Sequence, residues 1–450
     1  MRDLIRTTFR GILGVLGLSP LLTSLPAEAH HELWEKHNAA GSQAYEARRY
    51  VEAEKGWEAA RAEAERWGPD NPWLGLTLGN LGHVYQLQGK FVEAEAALRR
   101  ALPIVEKHLG AGHPDLAKVL NTLGTVYYEE RRYAESESVL KQALAIKEKA
   151  LGPQHTSVAL SLNALGEVYT AVRQDERAES YLRRALEIWE TTEGMDNPKT
   201  ARVFHNLAML YHNRRQFSQA EPLVKRALSI NERALGPEDP AVLRDLHLLA
   251  SIYHLQQRQS DAETIARRAL AVGERTLGPE HQVVMEDLDL LGRILFAQRR
   301  YPEGDVFFRR ISTGVERTRG PEHFETAQWL TRLGEYYYIH RRFADAAPLF
   351  RRALRALEAS GPGHPTVALG LTNLGDTYRE MGDYAAAEPL LKRALAIDQK
   401  NLGPEHRDVA ARLENYAGLL RKMGRPGEAE PMEARARAIR LKLQQPEPKR

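Results

Sequence analysis

Nine glycines fall at a fixed interval along this chain: Gly68, Gly110, Gly152, Gly194, Gly236, Gly278, Gly320, Gly361 and Gly403, 42 residues apart at every step except one of 41. A period between about 20 and 50 residues marks a stacked array, in which one unit cannot bury its apolar face alone and leans on its neighbours. That outweighs length as a guide to domain number. At 450 residues an ordinary globular chain would divide into about three domains, whereas the repeat predicts one continuous array. Hydrophobic residues make up 43% of the chain, enough to give that array a core.

Within each period the first apolar run reads apolar-x-x-Leu-Gly/Ala-x-x-Tyr, as in Leu78, Leu81, Gly82, Tyr85 and again in Leu162, Leu165, Gly166, Tyr169. Spacing of i, i+3, i+4 and i+7 puts all four on one stripe of a helix. The small residue lets a second helix cross close by. Twelve positions on stands another (Ala94, Ser136, Ala178, Ala220), and seven beyond that a third (Ala101, Ala143, Ala185, Ala227). Stops are written as Leu151-Gly152-Pro153, Leu235-Gly236-Pro237 and Leu402-Gly403-Pro404, a glycine for the left-handed C-terminal position and then a proline that cannot continue the helix. Starts follow at once: Asn71-Pro72, His113-Pro114, Asn197-Pro198, Asp239-Pro240 and His364-Pro365 put a polar residue at the N-cap and proline at the first helical position. His155, His281, His323 and His406 occupy the same loop position and read as caps too.

These packing points resemble the tetratricopeptide-repeat family, with Leu or Phe in place of the usual Trp and a period longer than the family's usual 34 or so. The long form, with Leu-Gly-Pro-Glu-His between hairpins and Ala-Glu-Pro-Leu opening the second helix (Ala220 to Leu223, Ala387 to Leu390), is similar to kinesin light chains and their exported bacterial relatives. The resemblance covers roughly residues 35 to 440. It implies an all-α fold, a right-handed α-solenoid of about ten stacked helix-turn-helix repeats. The heptad coiled coil of a true motor light chain is absent. Residues 30–68 read as an atypical N-terminal capping pair, 69–443 as the repeat array and 444–450 as a disordered tail. Repeat seven departs from the pattern at Leu295, Gly304, Ile311 and Ser312, which predicts different packing there.

By the same resemblance the first helices line a concave groove, and the residues just before the small position point into it. They include Asn80, Asn121, Asn163, Asn206, Asn373 and Asn415. An asparagine amide both donates and accepts, which suits it to the backbone of an extended peptide whatever its sequence. The competing reading is a solvated polar face or hydrogen bonds from repeat to repeat. Between repeats five and six the groove positions change to His205, His212, His247 and His254, with Arg202 and Arg244 beside them. That bias reads first as scattered polar groove residues, and as an alternative as a patch for acidic partners. Arginine pairs such as Arg131-Arg132 and Arg299-Arg300 mark the turns within hairpins and read as solvated, or as a basic edge once repeats stack.

Residues 1–29 read as a secretory signal: Arg2, Arg6 and Arg10, an apolar centre from Gly11 to Leu22, and Ala27-Glu28-Ala29 as a small-x-small cleavage site. The expected location is periplasmic or secreted, the alternatives being a cytoplasmic or N-terminally anchored protein. Losing that segment removes three basic and two acidic residues, so the net charge falls from +3 to +2. Near neutrality leaves no electrostatic footprint for nucleic acid, and no stretch of the mature chain has the ~20 apolar residues of a membrane span. With no cysteine and no nucleophile elbow, phosphate loop or zinc helix motif, neither an enzyme nor a cofactor is expected. The sequence reads as a non-catalytic adaptor or scaffold holding a protein or peptide segment in its groove. The alternatives are a self-associating component of an envelope assembly and, further off, a metal protein or enzyme built on the histidine patch.

Overall fold

The computed structural model describes residues 28–359 and 361–444. The expected export signal lies outside them but for its last two residues, as does the expected tail but for Gln444. Among the described residues there are twenty helices and no strand. They run in pairs: α1 Glu28–Glu46 with α2 Tyr50–Glu65, α3 Pro72–Leu87 with α4 Phe91–Leu109, and α5 Pro114–Glu129 with α6 Tyr133–Leu151. Next come α7 Thr156–Ala171 with α8 Asp175–Thr192, α9 Pro198–Asn213 with α10 Phe217–Leu235, and α11 Pro240–Leu255 with α12 Gln259–Thr276. The series closes with α13 Gln282–Ala297 and α14 Tyr301–Arg319, α15 Phe324–Ile339 and α16 Phe343–Ala359, α17 Pro365–Met381 and α18 Tyr384–Leu402, then α19 Arg407–Lys422 and α20 Pro426–Gln444. These stacked hairpins form an α-solenoid. Two compact units are distinguished, one up to Leu248 and one from Leu249.

The caps explain why the helices start where they do. Nδ1 of His155 accepts the Ser157 N–H at 3.0 Å, and His113, His281, His323, His364 and His406 cap their helices in the same way. Asn71, Asn197 and Asp239 do it with a side-chain oxygen. His155→Ala is expected to cost about 0.5–2 kcal/mol and His155→Asn to be nearly neutral, read as shifts of the urea midpoint. The stops differ from expectation. Gly152 has φ 88° and ψ 154°, positive φ but an extended ψ rather than the left-handed helical one. Proline follows it, and a residue before proline is driven to ψ near 120–160°. The result is a backbone conformation almost confined to glycine.

One volume rule governs the first nine hairpins. The residue sixteen positions after the small one packs on it, and the two sizes are complementary. Leu98, Leu140, Leu182, Phe308, Phe350 and Leu391 each press on a glycine, so a Cβ at Gly82, Gly124, Gly166, Gly292, Gly334 or Gly375 would collide with them. Where the partner is Val224 or Ala266, the small residue grows to Ala208 or Ala250, and all four are buried. The first pair obeys the rule as well, with Gly41 beneath a fully buried Trp57. Repeat seven is repacked with aromatics. Phe296 stands 5.0 Å from Phe308, 5.1 Å from Tyr301 and 5.5 Å from Tyr337 between ring centroids. A Cβ at Gly304 would strike Phe296, which is why glycine replaces the usual alanine there.

Between repeats, tyrosine, acid and arginine interlock. The Tyr211 hydroxyl donates to Glu179 at 2.8 Å, and Arg214 grips the same carboxylate at 2.7 Å. Tyr337, Asp305 and Arg342 repeat the motif. The arginine pairs are therefore split: Arg132 pairs with Glu95, Arg300 with Glu263 and Arg342 with Asp305 of the preceding repeat, while the first arginine of each pair is exposed. Their neighbours Arg131, Arg299 and Arg341 take positive φ to make the turn.

The first unit also touches itself at long range. Arg48 in the first hairpin turn donates to Asp239, the cap of α11, at 2.6 Å across 191 residues. By α11 the first unit has come round alongside its own first hairpin. In the first unit the first helices of successive hairpins, α3, α5, α7 and α9, lie closer to one another than the second helices do, which puts them on the inner side of the stack.

Candidate binding groove

On the inward face, three of the expected residues meet around an acid that the sequence reading missed. Arg202 on α9 reaches back to Glu167 on α7, with Nη2 3.0 Å from Oε1 and 3.3 Å from Oε2. Asn206, one turn along α9, donates to the same Oε1 at 2.7 Å and to Oδ1 of Asn163 at 2.9 Å. Asn163 donates its own amide to Glu167 at 2.9 Å. Burial pushes the Glu167 carboxyl up, but the Arg202 charge and the bonds from Asn206, Arg202 and Asn163 outweigh it, and its pKa lies below the usual value. Arg202 sits deep among protein atoms, and yet 44% of its side chain is open to solvent. Those two facts together place it on the floor of a concavity.

Around this floor stand Tyr128 and Glu129 at the end of α5 and Arg244 on α11. Glu129 and Arg244 are exposed and make no hydrogen bond among the described residues. Burial raises the Glu129 carboxyl, Glu167 raises it further, and Arg202 and Arg244 pull it back. Burial and then the Glu167 and Glu129 charges push the Tyr128 phenol up to about 12. The groove is therefore a mixed-charge surface, not a uniformly basic one.

The other expected residues are placed differently. The asparagines occupy two successive helix positions, and a step of one residue turns a side chain by about 100°. Asn121 and Asn163 stand three before the small residue, and Asn80, Asn206, Asn373 and Asn415 stand two before it. Asn80 and Asn163 are 5% and 1% exposed, so both amides lie beneath the groove surface. Asn121 accepts from Ser161 at 2.7 Å and from Lys147 at 3.2 Å. His205 faces Asp245 at 2.7 Å, with Asn231 holding the other carboxylate oxygen at 2.7 Å. These are one construction used twice, two repeats apart: Asn121, Lys147 and Ser161 correspond to His205, Asn231 and Asp245. In the second unit Asn415 donates to Asp376 at 3.1 Å, and Asn373 stands beside Glu335.

The histidines form no joint centre. Among the described residues no group of three or more His, Asp or Glu is arranged to hold a metal. His212 is lowered by burial, and His247 lies near enough to lower it further. His254 is lowered by burial too and is bonded to Gln259 at 2.9 Å. A cleft of about 670 Å³ beside α8 is lined by Glu179, Arg183 and Arg214, but those charges already neutralise one another. One sequence signal would have found the missed acids. Glu167, Glu335 and Asp376 each follow the packing glycine directly, opposite an asparagine of the next repeat.

The sequence profile of the Tetratricopeptide repeat family matches this chain over residues 35–107, 115–191, 199–275, 284–359 and 362–442. The chain belongs to the tetratricopeptide-repeat family. A search of curated proteins finds no match to it. Among solved structures, kinesin light chain TPR-like repeats from Podosopora anserina are 24% identical, covering 46% of this tetratricopeptide chain and 98% of theirs, with a TM-score of 0.40. A Rap protein complexed with competence and sporulation factor is 15% identical over 82% of this chain and 98% of its own, with a TM-score of 0.53. The apo quorum sensor NprR from B. thuringiensis is 11% identical over 82% and 99%, with a TM-score of 0.57. At these identities the likeness shows the tetratricopeptide fold alone.

Proposed function

We propose that this protein is a non-catalytic adaptor that holds a peptide or protein segment along the inward face of α5, α7, α9 and α11. The observation that carries the reading is the Arg202–Glu167–Asn206–Asn163 network, with Glu129 and Arg244 open beside it. A concave surface whose polar groups are already fixed in place loses little entropy on binding an extended segment. A protein of the same fold complexed with competence and sporulation factor supports the reading. The test is cross-linking capture from native cell fractions, with each partner identified by mass. Partners are expected to be lost from Arg202→Ala with Arg244→Ala, and kept by Arg183→Ala on the outer cleft. Capture unchanged in the groove variant would remove the adaptor reading.

The competing structural role has its own observation. Leu441 and Leu443 on α20 are 62% and 57% exposed. If they join copies of the chain, light scattering will give a multimer that Leu441→Glu with Leu443→Glu dissolves. On the reading of residues 1–29 as an export signal, the adaptor works outside the cytoplasm. A mature protein beginning at His30 is the expected result, and an intact Met1 in the cytosolic fraction would exclude export.

A further inference from the structure

Repeat register shows which groove charges lack a hydrogen-bonded mate. Arg202 and Arg244 hold the same position in successive repeats, and the acid that neutralises Arg202 is Glu167 on the helix before. One repeat later the residue at the place of Glu167 is Met209, and the place of Asn206 is taken by a buried Leu248. Arg244 is thus a copy of Arg202 from which the counter-charge and the amide have been removed, left exposed on the same face. Glu129 is the converse. Its equivalents in the repeats on either side are Leu87 and Ala171, and in the one after these Asn213, so among these four repeats it is the one carboxylate; Glu46 of the first hairpin also holds the position. The pair Arg48–Asp239 joins the two ends of the first unit, and the charge of Arg244 is felt at Glu129 across 115 residues of sequence.

We infer that this groove takes a peptide segment carrying charges of both signs, its carboxylate on Arg244 and its cationic side chain on Glu129, laid across the self-neutralised floor of Arg202, Glu167 and Asn206. This rests on the peptide-groove reading and adds a composition to it. A purely acidic segment satisfies Arg244 but meets Glu129 as a like charge. A purely basic one does the reverse, and like-charge juxtaposition is a strong discriminator between partners. Because the floor has no net charge, it adds hydrogen bonds without favouring either sign.

The experiment uses the full chain and a positional-scanning library of fluorescein-labelled hexapeptides. The expected result is one position enriched for Asp or Glu and another for Lys or Arg, each by about tenfold, the ratio given by one well-formed charge pair. Arg244→Gln is expected to abolish the acidic preference alone and Glu129→Gln the basic preference alone. The double exchange Glu129→Arg with Arg244→Glu is expected to swap the two. Both side chains are exposed, so helix content stays constant as the check on folding. Hexapeptides bound without charge preference, or with preferences these variants leave unchanged, would overturn the inference. The groove reading would then survive only if Arg202→Ala still abolishes binding. A library with no bound member would overturn both.

Discussion

Gly166→Ala will destabilise the array by about 1–3 kcal/mol, although alanine is the better helix former by about 1 kcal/mol. A Cβ at that position would lie 2.5 Å from Cγ of Leu182, which is fully buried and has no free space to retreat into. The next repeat shows the cure. There the corresponding pair is Ala208 with Val224, both fully buried. Leu182→Val alone opens a cavity and costs about 0.5–1.5 kcal/mol, but combined with Gly166→Ala it recreates the neighbouring repeat's fit. The double mutant is therefore expected to be more stable than the sum of the single losses predicts, a positive coupling that urea midpoints of the four proteins will show. Additive losses would mean that the volume rule is not what selects glycine here.

Lys147→Met is expected to act in the opposite direction. Lys147 is 2% exposed and donates to Ser161 at 2.8 Å and Asn121 at 3.2 Å, neither of which carries charge. Burial, and secondarily the Lys118 charge, bring its pKa down to about 7 from 10.5. Methionine removes the buried ammonium at similar volume. It orphans nothing, because the Ser161 hydroxyl still donates to Asn121. A gain of about 1–4 kcal/mol is expected at pH 6, in the range found when buried charge gives way to packed apolar side chains. The pH dependence follows from linkage. Between about pH 7 and 10.5 the unfolded chain binds a proton that the folded one has released, so wild-type stability from this group rises with pH across that window. Below about pH 7 both states are protonated and the full penalty stands. The advantage of Lys147→Met is therefore largest at pH 6 and shrinks toward pH 10, and an advantage independent of pH would show that folding does not lower the Lys147 pKa.

The hairpins were legible because their signals are local. Proline after His or Asn, glycine before proline, and small residues among periodic apolar ones each act within a turn or two of helix, so no knowledge of the stacking was needed. The groove was legible only in part. Arg202, Asn206 and Asn163 do meet, but around Glu167, which looks in sequence like any helical surface acid. His205 read as a groove group and instead faces Asp245, a residue 40 positions away whose partner is fixed by how α9 and α11 lie together.

By itself, then, the sequence determined the repeat, its period, the two helices of each copy and the points at which they cross, because caps, stops and side-chain volumes act along a single hairpin. Only the tertiary structure decided which polar groups are spent and which remain available. Stacking brings together side chains about one repeat apart, and a step of one residue turns a side chain about 100° around its helix. Stacking buries Asn163 and leaves Arg202 open, and the replacement of an acid by Met209 leaves Arg244 exposed without its counter-charge.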